Sequence, residues 1–359
     1  MIHVIRRWAM ALICVCGVVA LPLSAHAAPC MVVTLTGTQG GPSVFRGMAG
    51  AGTLVQYGDD KDSCNAVRLQ FDAGRGTSMR LSQVGVQAPQ LHAIFFTHLH
   101  SDHADGLADL LQLRWHTAAN GPKVDIVCSE DTVGAAAEVR YTMSCAKFVA
   151  HIGDAYLQSG EIAQRHTEDT TRPLAGPAAT AQVRAFKATD DAQVVWTRGE
   201  VKVSAVRSTH IPGHASYRVD TPAGSVVIGG DAGNDTPAPP RAASTSAQVE
   251  QLARGADIIV HSAIHPVMGP DKDSGFPAPI YHRQSAVGDL GAMAQRAGAK
   301  HLMLTHLIPP LGARQQGPYK VPGGALSEAD YRKAAEAGGF TGNIVVGKDL
   351  ASVRLPRSP

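Results

Sequence analysis

The run Thr97-His98-Leu99-His100-Ser101-Asp102-His103 constrains this chain more than any other segment. It crowds three imidazoles and a carboxylate into a turn directly after the apolar stretch Ala93-Ile94-Phe95-Phe96. An extended backbone puts residues two apart on one face, so His98 and His100 can reach a single cation. The turn into a helix starting near Asp105 swings Asp102 and His103 toward a second one. Imidazole nitrogens with one carboxylate suit zinc best. The chain holds 16 histidines, about twice an ordinary share, and their placement matters more than their number.

Such a cluster needs a rigid scaffold, and the remaining sequence predicts one of the α/β class. Strands are expected at 31–36, 53–57, 67–71, 93–97, 124–128, 194–197, 201–206, 217–219, 226–228, 258–261, 301–305 and 343–346, with helical patterns and Gly/Pro turns between them. Arg198-Gly199-Glu200 and Thr221-Pro222-Ala223-Gly224 read as hairpin turns. Leu107, Leu110 and Leu111 mark one buried helix face, and Val287, Leu290 and Met293 mark another. Ser327 with Asp330 opens a third helix as a capping-box variant. Loops are expected at 170–182, 235–247, 265–280 and 309–324, and none has the length or bias of an interdomain linker. A hydrophobic fraction of 44% over 359 residues is ample for a core.

Residues 1–27 read as a secretory signal: a basic Arg6-Arg7 start, an apolar run from Trp8 to Leu21, and Ala25-His26-Ala27 before the cut. That apolar run falls short of the ~20 residues a spanning helix needs. A single domain over 28–359, periplasmic or secreted, is the expectation. Without Arg6 and Arg7 the 32 basic residues become 30, equal to the 30 acidic ones. This balance gives no support to a broad nucleic-acid-binding surface. Cys14 and Cys16 fall in the signal, leaving Cys30, Cys64, Cys128 and Cys145, an even number suited to an oxidising compartment. Proximity along the chain favours Cys30 with Cys64 and Cys128 with Cys145. With no CxxC pair, a thiolate zinc site is not expected.

Further ligands are expected at downstream strand ends, where loops position them over the scaffold. His210 follows the strand at 201–206 and its extension, Asp231 follows Val226-Val227-Ile228-Gly229-Gly230, and His306 follows His301-Leu302-Met303-Leu304-Thr305. With these pieces in place the sequence resembles the metallo-β-lactamase superfamily, and within it the ribonuclease Z-like and arylsulfatase-like hydrolases, over nearly all of 28–359. The matching segments are Leu35-Thr36-Gly37-Thr38, Phe71-Asp72-Ala73-Gly74, the histidine cluster with Gly106-Leu107 behind it, His210 seven residues before Tyr217-Arg218, Gly230-Asp231, and Leu304-Thr305-His306-Leu307.

The resemblance implies a four-layer αβ/βα sandwich with two zinc ions at one edge, manganese or iron being an alternative at one of them. It implies His98, His100 and His210 on one ion, Asp102, His103 and His306 on the other, and Asp231 bridging both. His210 is chosen over His214 by its spacing to Tyr217. Two divalent ions held roughly 3.5–4 Å apart lower the pKa of a bridging water toward ~7 and stabilise the oxygens of an in-line displacement. Asp102 would also hold that water. Related enzymes carry a histidine just before the helix leading to the last ligand, which makes His282 the candidate general acid, although its spacing to Ser285 departs from their pattern. His261 and His265 are expected to be supporting or structural.

Transfer-RNA-processing relatives carry a long basic arm between the third motif and the bridging aspartate, whereas 20 residues separate His210 from Asp231 here. The expected reaction is therefore hydrolysis of a small phosphodiester or related ester, without a stable nucleic-acid partner or membrane attachment after signal removal. A homodimer is compatible with the sequence. Arylsulfatase, lactonase and β-lactamase chemistries are alternatives, the last disfavoured by a carboxylate bridge. The non-enzymatic alternative is a catalytically idle metal- or ligand-binding module.

Overall fold

A computed structural model of the chain describes residues 27–135 and 139–356. The expected signal segment lies almost wholly outside the described residues. In chain order the strands of the first sheet are β1 (Pro29–Gly37), β2 (Gly52–Asp59), β3 (Val67–Phe71), β4 (Ala93–Phe95) and β5 (Val124–Ser129). A projecting antiparallel pair, β6 (Thr132–Ala135) and β7 (Arg140–Met143), precedes its edge strand β8 (Ala181–Phe186). The second sheet comprises β9 (Gln193–Arg198), β10 (Val201–Arg207), β11 (Ala215–Thr221), β12 (Gly224–Ile228), β13 (Ile258–Ile264) and β14 (His301–Ile308). After the short pair β15 (Gln315–Gln316) and β16 (Tyr319–Lys320), β17 (Asn343–Val346) completes it, and β18 (Ser352–Leu355) returns to the first sheet.

The two sheets have the same plan. The first runs β18-β1-β2-β3-β4-β5-β8 and the second β17-β14-β13-β12-β11-β10-β9. In each, hairpin-linked antiparallel strands give way to parallel strands: β3-β4-β5-β8 in one and β12-β13-β14-β17 in the other. Parallel neighbours need crossovers, and helices supply them. The outer face of the first sheet is covered by α3 (Leu107–Ala118) and α4 (Cys145–Gln158), after α1 (Thr77–Gln83) and the single turn α2 (Ser101–Ala104). After α5 (Glu161–Glu168), α6 (Ala247–Ala253) covers the second sheet. The short α7 (Ala278–His282) then leads into α8 (Val287–Ala297) and α9 (Glu328–Ala337), which complete that outer layer. The result is the expected four-layer αβ/βα sandwich. No helix among the described residues is long and apolar enough to cross a membrane.

Between the sheets lies a core built from Val33, Leu35, Phe71, Phe95, Val203, Tyr217, Val226 and Val260. Phe71 and Phe95 stack at 4.6 Å, with Tyr217 edge-on to Phe95 at 5.5 Å. The buried Tyr217 hydroxyl donates to the Phe96 carbonyl at 2.7 Å, so an otherwise costly polar group ties one sheet to the other. Both disulfides match the expected pairing, Cys30–Cys64 and Cys128–Cys145. Ser327 and Asp330 form the capping box of α9.

The structure differs from the sequence-based expectation mainly at sheet edges. β8 and β18 were not expected, because short edge strands with exposed alternate residues lack a continuous apolar run. The stretch 170–182, expected to be a loop, already contains a 3-10 turn and the start of β8. β4 stops at Phe95 rather than Thr97, since the Thr97 amide leaves the ladder to donate to the Asp72 carboxylate at 2.8 Å.

Gly74 shows how tightly the histidine turn is seated. A Cβ there would lie 2.2 Å from the Asp102 carbonyl oxygen and 2.4 Å from the Gly50 carbonyl carbon. Both obstacles are backbone and cannot rotate away. Gly74→Ala is expected to lower stability by about 1–3 kcal/mol through overpacking. Urea unfolding should show this as a lower midpoint at unchanged slope.

Candidate metal centre

The strand ends β3 and β4 and the turn α2 are held together by one buried carboxylate. Asp72 has φ +53°, a left-handed conformation that turns its side chain back under the histidine run. Its Oδ1 accepts from the Thr97 amide, and its Oδ2 accepts from the Thr97 hydroxyl and from His103 Nδ1, all at 2.8 Å. An ionised carboxylate only accepts, so His103 carries its proton on Nδ1 and turns Nε2 outward. The Thr97 hydroxyl, having donated to Asp72, can only accept from His98 Nδ1 at 3.1 Å. Nε2 of His98 is thereby left as a bare lone pair, and it faces His100 Nδ1 at 2.9 Å.

The second sheet brings the other ligands to the same edge, at the carboxyl ends of its parallel strands, where open α/β sheets place their sites. Asp231 follows β12 after Gly230, whose φ of +60° makes the turn. His306 lies in β14 at a bulge: Ser262 pairs with Thr305 and Ala263 with Leu307, and His306 has φ +45°. An extra residue in a strand redirects its side chain, here toward the carboxylates. His210 sits between β10 and β11, and its Nδ1 donates to the Arg283 carbonyl at 3.4 Å. Its Nε2 is left for the cluster.

Three overlapping groups result, within each of which the ligand atoms lie within 4.8 Å of one another: His98, His100 and His210; Asp102, His103 and His306; and His98, His103 and Asp231. Asp231 stands between the first two, its Oδ1 3.5 Å from His103 Nε2 and its Oδ2 3.7 Å from His210 Nε2 and 3.3 Å from His306 Nε2. Asp102 Oδ2 lies 3.0 Å from His306 Nε2 and 3.6 Å from His103 Nε2. His103 Nε2, His210 Nε2 and Asp231 Oδ1 are buried and have no hydrogen-bond partner. Buried polar atoms rarely stay unpaired, and lone pairs converging on lone pairs call for cations between them. The donor set therefore fits two divalent metals.

His214 is excluded from that set by its own bonds. Its Nε2 accepts from the Asp231 amide at 3.2 Å, so Nδ1 bears the proton and donates to Ser208 at 2.8 Å. Ser208 passes the chain to Ser216 and on to the Gly229 carbonyl, both at 2.7 Å. With both nitrogens engaged, His214 positions the Asp231 backbone. His261 is fully buried on β13, with Nδ1 on the Ser262 carbonyl at 2.8 Å, and His265 caps a 3-10 turn by accepting from the Val267 amide.

A cavity of about 430 Å³ opens over the cluster. Ile280, Arg283 and Gln284 line it, but His282 does not. Residues 280, 283 and 284 share one side of the turn that ends α7, and 282 falls off that side. His282 instead sets its ring against Tyr281 at 5.5 Å. This corrects the expectation of His282 as general acid. Sequence reasoning missed Asp72 and Arg283 as contributors and left His214 open between a supporting and a loop residue. Asp72 was visible only as part of a matched segment, and Arg283 carries no local signal.

Charge divides the imidazoles into two sets. Burial, aided by the Arg283 cation, pushes His210 down to about 3 against the pull of Asp231, and burial among other imidazoles holds His98 well below the usual range. Burial would also lower His103 and His306, but the carboxylates around them outweigh it and raise both. Asp231, which burial would raise, is held well below the carboxylate range by His306, His103 and His210. A metal must therefore displace protons from His103 and His306 but none from His98 or His210. Zinc titrated into metal-free protein at pH 7 is expected to release protons, and affinity should fall as pH is lowered. Calorimetry in buffers of different ionisation enthalpy checks this, and uptake without proton release would contradict it. Asp72→Asn keeps the shape and tolerates positive φ, but removes the charge that orients His103. It is expected to weaken metal binding by about 10- to 100-fold, measured by competition with a chromogenic chelator.

Comparison with known proteins places this geometry in a family. The pattern of the metallo-beta-lactamase superfamily matches residues 69–264. Ribonuclease Z of Mycobacterium bovis (strain BCG / Pasteur 1173P2) is 29% identical over 327 residues, covering 90% of this chain and 98% of that protein. Ribonuclease Z of Mycobacterium sp. (strain KMS) is 31% identical over 326 residues, covering 90% and 95%. Among solved structures, the metallo-beta-lactamase fold protein YhfI from Bacillus subtilis superposes with a TM-score of 0.57 at 18% identity, covering 91% of this chain and 100% of that one. The short form of human tRNase Z gives 0.55 at 19%, covering 90% and 99%. With more than half of its sequence matched to the family pattern and its length shared with ribonuclease Z sequences, the chain belongs to the metallo-beta-lactamase superfamily, in its ribonuclease Z-like branch.

Proposed function

We propose that this metal-dependent hydrolase is an exported enzyme that uses two zinc ions to cleave a small phosphodiester or a closely related ester. The observation that carries the reading is the position of Asp231, whose carboxylate lies within 3.7 Å of His210 from the first set and of both His103 and His306 from the second. His98, His100 and His210 would hold one ion, Asp102, His103 and His306 the second, and Asp231 both. Bound there, the ions would supply Lewis acidity and an acidified water at neutral pH.

The chain's own residues do the rest. Asp72 fixes the His103 ring, Thr97 fixes the His98 tautomer, and the His214 relay anchors the Asp231 backbone. Asp102 lines the cavity and can accept a hydrogen bond from an attacking water while staying near both His103 and His306. A small substrate is favoured because β11, β12 and their turn take up most of the interval from His210 to Asp231. No long basic arm fits there. Export is supported by the two disulfides, which belong to oxidising compartments.

The test is hydrolysis of bis(p-nitrophenyl) phosphate, p-nitrophenyl sulfate, a lactone and a β-lactam by zinc-loaded protein, with and without chelator. Chelator-sensitive turnover of the diester above the others is expected, and preference for another substrate would replace the proposed class. Asp231→Ala should stay folded, lose bound metal and drop in turnover by about 1000-fold or more, the several kcal/mol that metals contribute. Full activity without this carboxylate would refute the bridge. The mass of protein from the cell envelope should correspond to a start near Ala28.

A further inference from the structure

The cavity over the cluster contains a cation, Arg283, that has no counterpart among the described residues. Arg283 lines it beside His100, Asp102, His210 and Asp231. Its Nε is buried with no hydrogen-bond partner, and its guanidinium makes no ion pair with any described residue. Burying such a donor unpaired costs about 1–3 kcal/mol or more, so a cation held this way calls for an acceptor. Its neighbours do not provide one: Asp102 and Asp231 are turned to the imidazoles of His103, His210 and His306.

The backbone of Arg283 is fixed from two sides. Its carbonyl accepts from His210 Nδ1 at 3.4 Å, and Gly233, two residues beyond Asp231, packs so closely that a Cβ there would lie 2.6 Å from the same carbonyl oxygen. Arg283 thus starts from a point tied to a ligand histidine. The same cavity is also lined by four large apolar side chains: Phe276 and Tyr319, edge to face at 5.2 Å, with Ile280 and Ile308.

We propose that Arg283 is a substrate-binding residue that pairs with an anionic oxygen of the ester, while Phe276, Ile280, Ile308 and Tyr319 receive its apolar organic group. This rests on the reading of the cavity as a hydrolase site and narrows it. The substrate is a monoanionic ester of an aromatic or similarly apolar alcohol, as a phosphodiester is, and a neutral lactone would leave the guanidinium unpaired. Arginine suits the task because its planar donors match two oxygens of one anion.

Diphenylphosphinate, a monoanion that cannot be hydrolysed as an ester, tests the assignment by calorimetry on zinc-loaded protein. Arg283→Met is expected to weaken its binding by about 10- to 100-fold, the worth of a charge-assisted hydrogen bond. Arg283→Lys should recover part of the loss, and bound metal should equal that of the unaltered protein. Dimethylphosphinate, lacking the rings, should bind more weakly than diphenylphosphinate to the unaltered protein. Arg283→Gln is a second removal of charge should the methionine variant fold poorly. Unchanged phosphinate affinity in a folded, metal-loaded charge-removed variant would overturn the proposal. Because binding is read without turnover, an Arg283-dependent affinity in a protein that hydrolyses no diester would sink the phosphodiesterase reading alone. Hydrolysis with affinity indifferent to Arg283 would sink this assignment alone.

Discussion

Everything at this site depends on burying opposite charges and lone pairs at the edge where two sheets meet. The imidazoles of His98, His103 and His306 and the carboxylates of Asp72, Asp102 and Asp231 are nearly or fully removed from solvent. No such group is stable in an apolar interior without a partner. Asp72 meets this constraint for the first sheet by accepting three hydrogen bonds from Thr97 and His103. His214 meets it for the second by tying the Asp231 amide to a chain of serines. What these arrangements leave unpaired is the inward-facing set of nitrogens and oxygens.

The duplicated sheet plan explains why that set converges. Each sheet turns from antiparallel to parallel pairing, and the loops after its parallel strands emerge on one edge. Packing the sheets face to face over Phe71, Phe95 and Tyr217 brings the two edges together. Two residues at this junction, Asp72 and His306, hold positive φ without being glycine. Backbone conformations of this kind persist where surrounding contacts over-determine them. Here the contacts are the Asp72 hydrogen bonds and the β14 bulge.

Fold legibility followed burial. Runs such as Val67–Phe71 and Asn343–Val346 are strands with the bounds their sequence suggests, the first alternating Val, Leu and Phe with Arg and Gln, the second ending on three β-branched residues. Ser352–Leu355 escaped notice because an edge strand is fixed by its partner, with Met31 opposite Leu355, more than by its composition. At the site, the His98–His103 cluster was visible locally since its ligands are adjacent in sequence. His282 misled because rotation about a short helical turn selects 280, 283 and 284, and one residue of displacement moves a side chain out of the cavity.

The sequence by itself determined the α/β class and the candidate ligands His98, His100, Asp102, His103, His210, Asp231 and His306, and it favoured the cysteine pairing that the structure has. These are carried by spacing within a segment or by a residue at the end of an apolar run, which are local properties. Only the tertiary structure decided that Asp72 orients His103, that His214 positions Asp231, and that Arg283 rather than His282 faces the cavity. Those choices are made by hydrogen-bond directions and rotations between elements far apart in the chain. A linear pattern does not encode them until two packed sheets leave each buried atom a single partner.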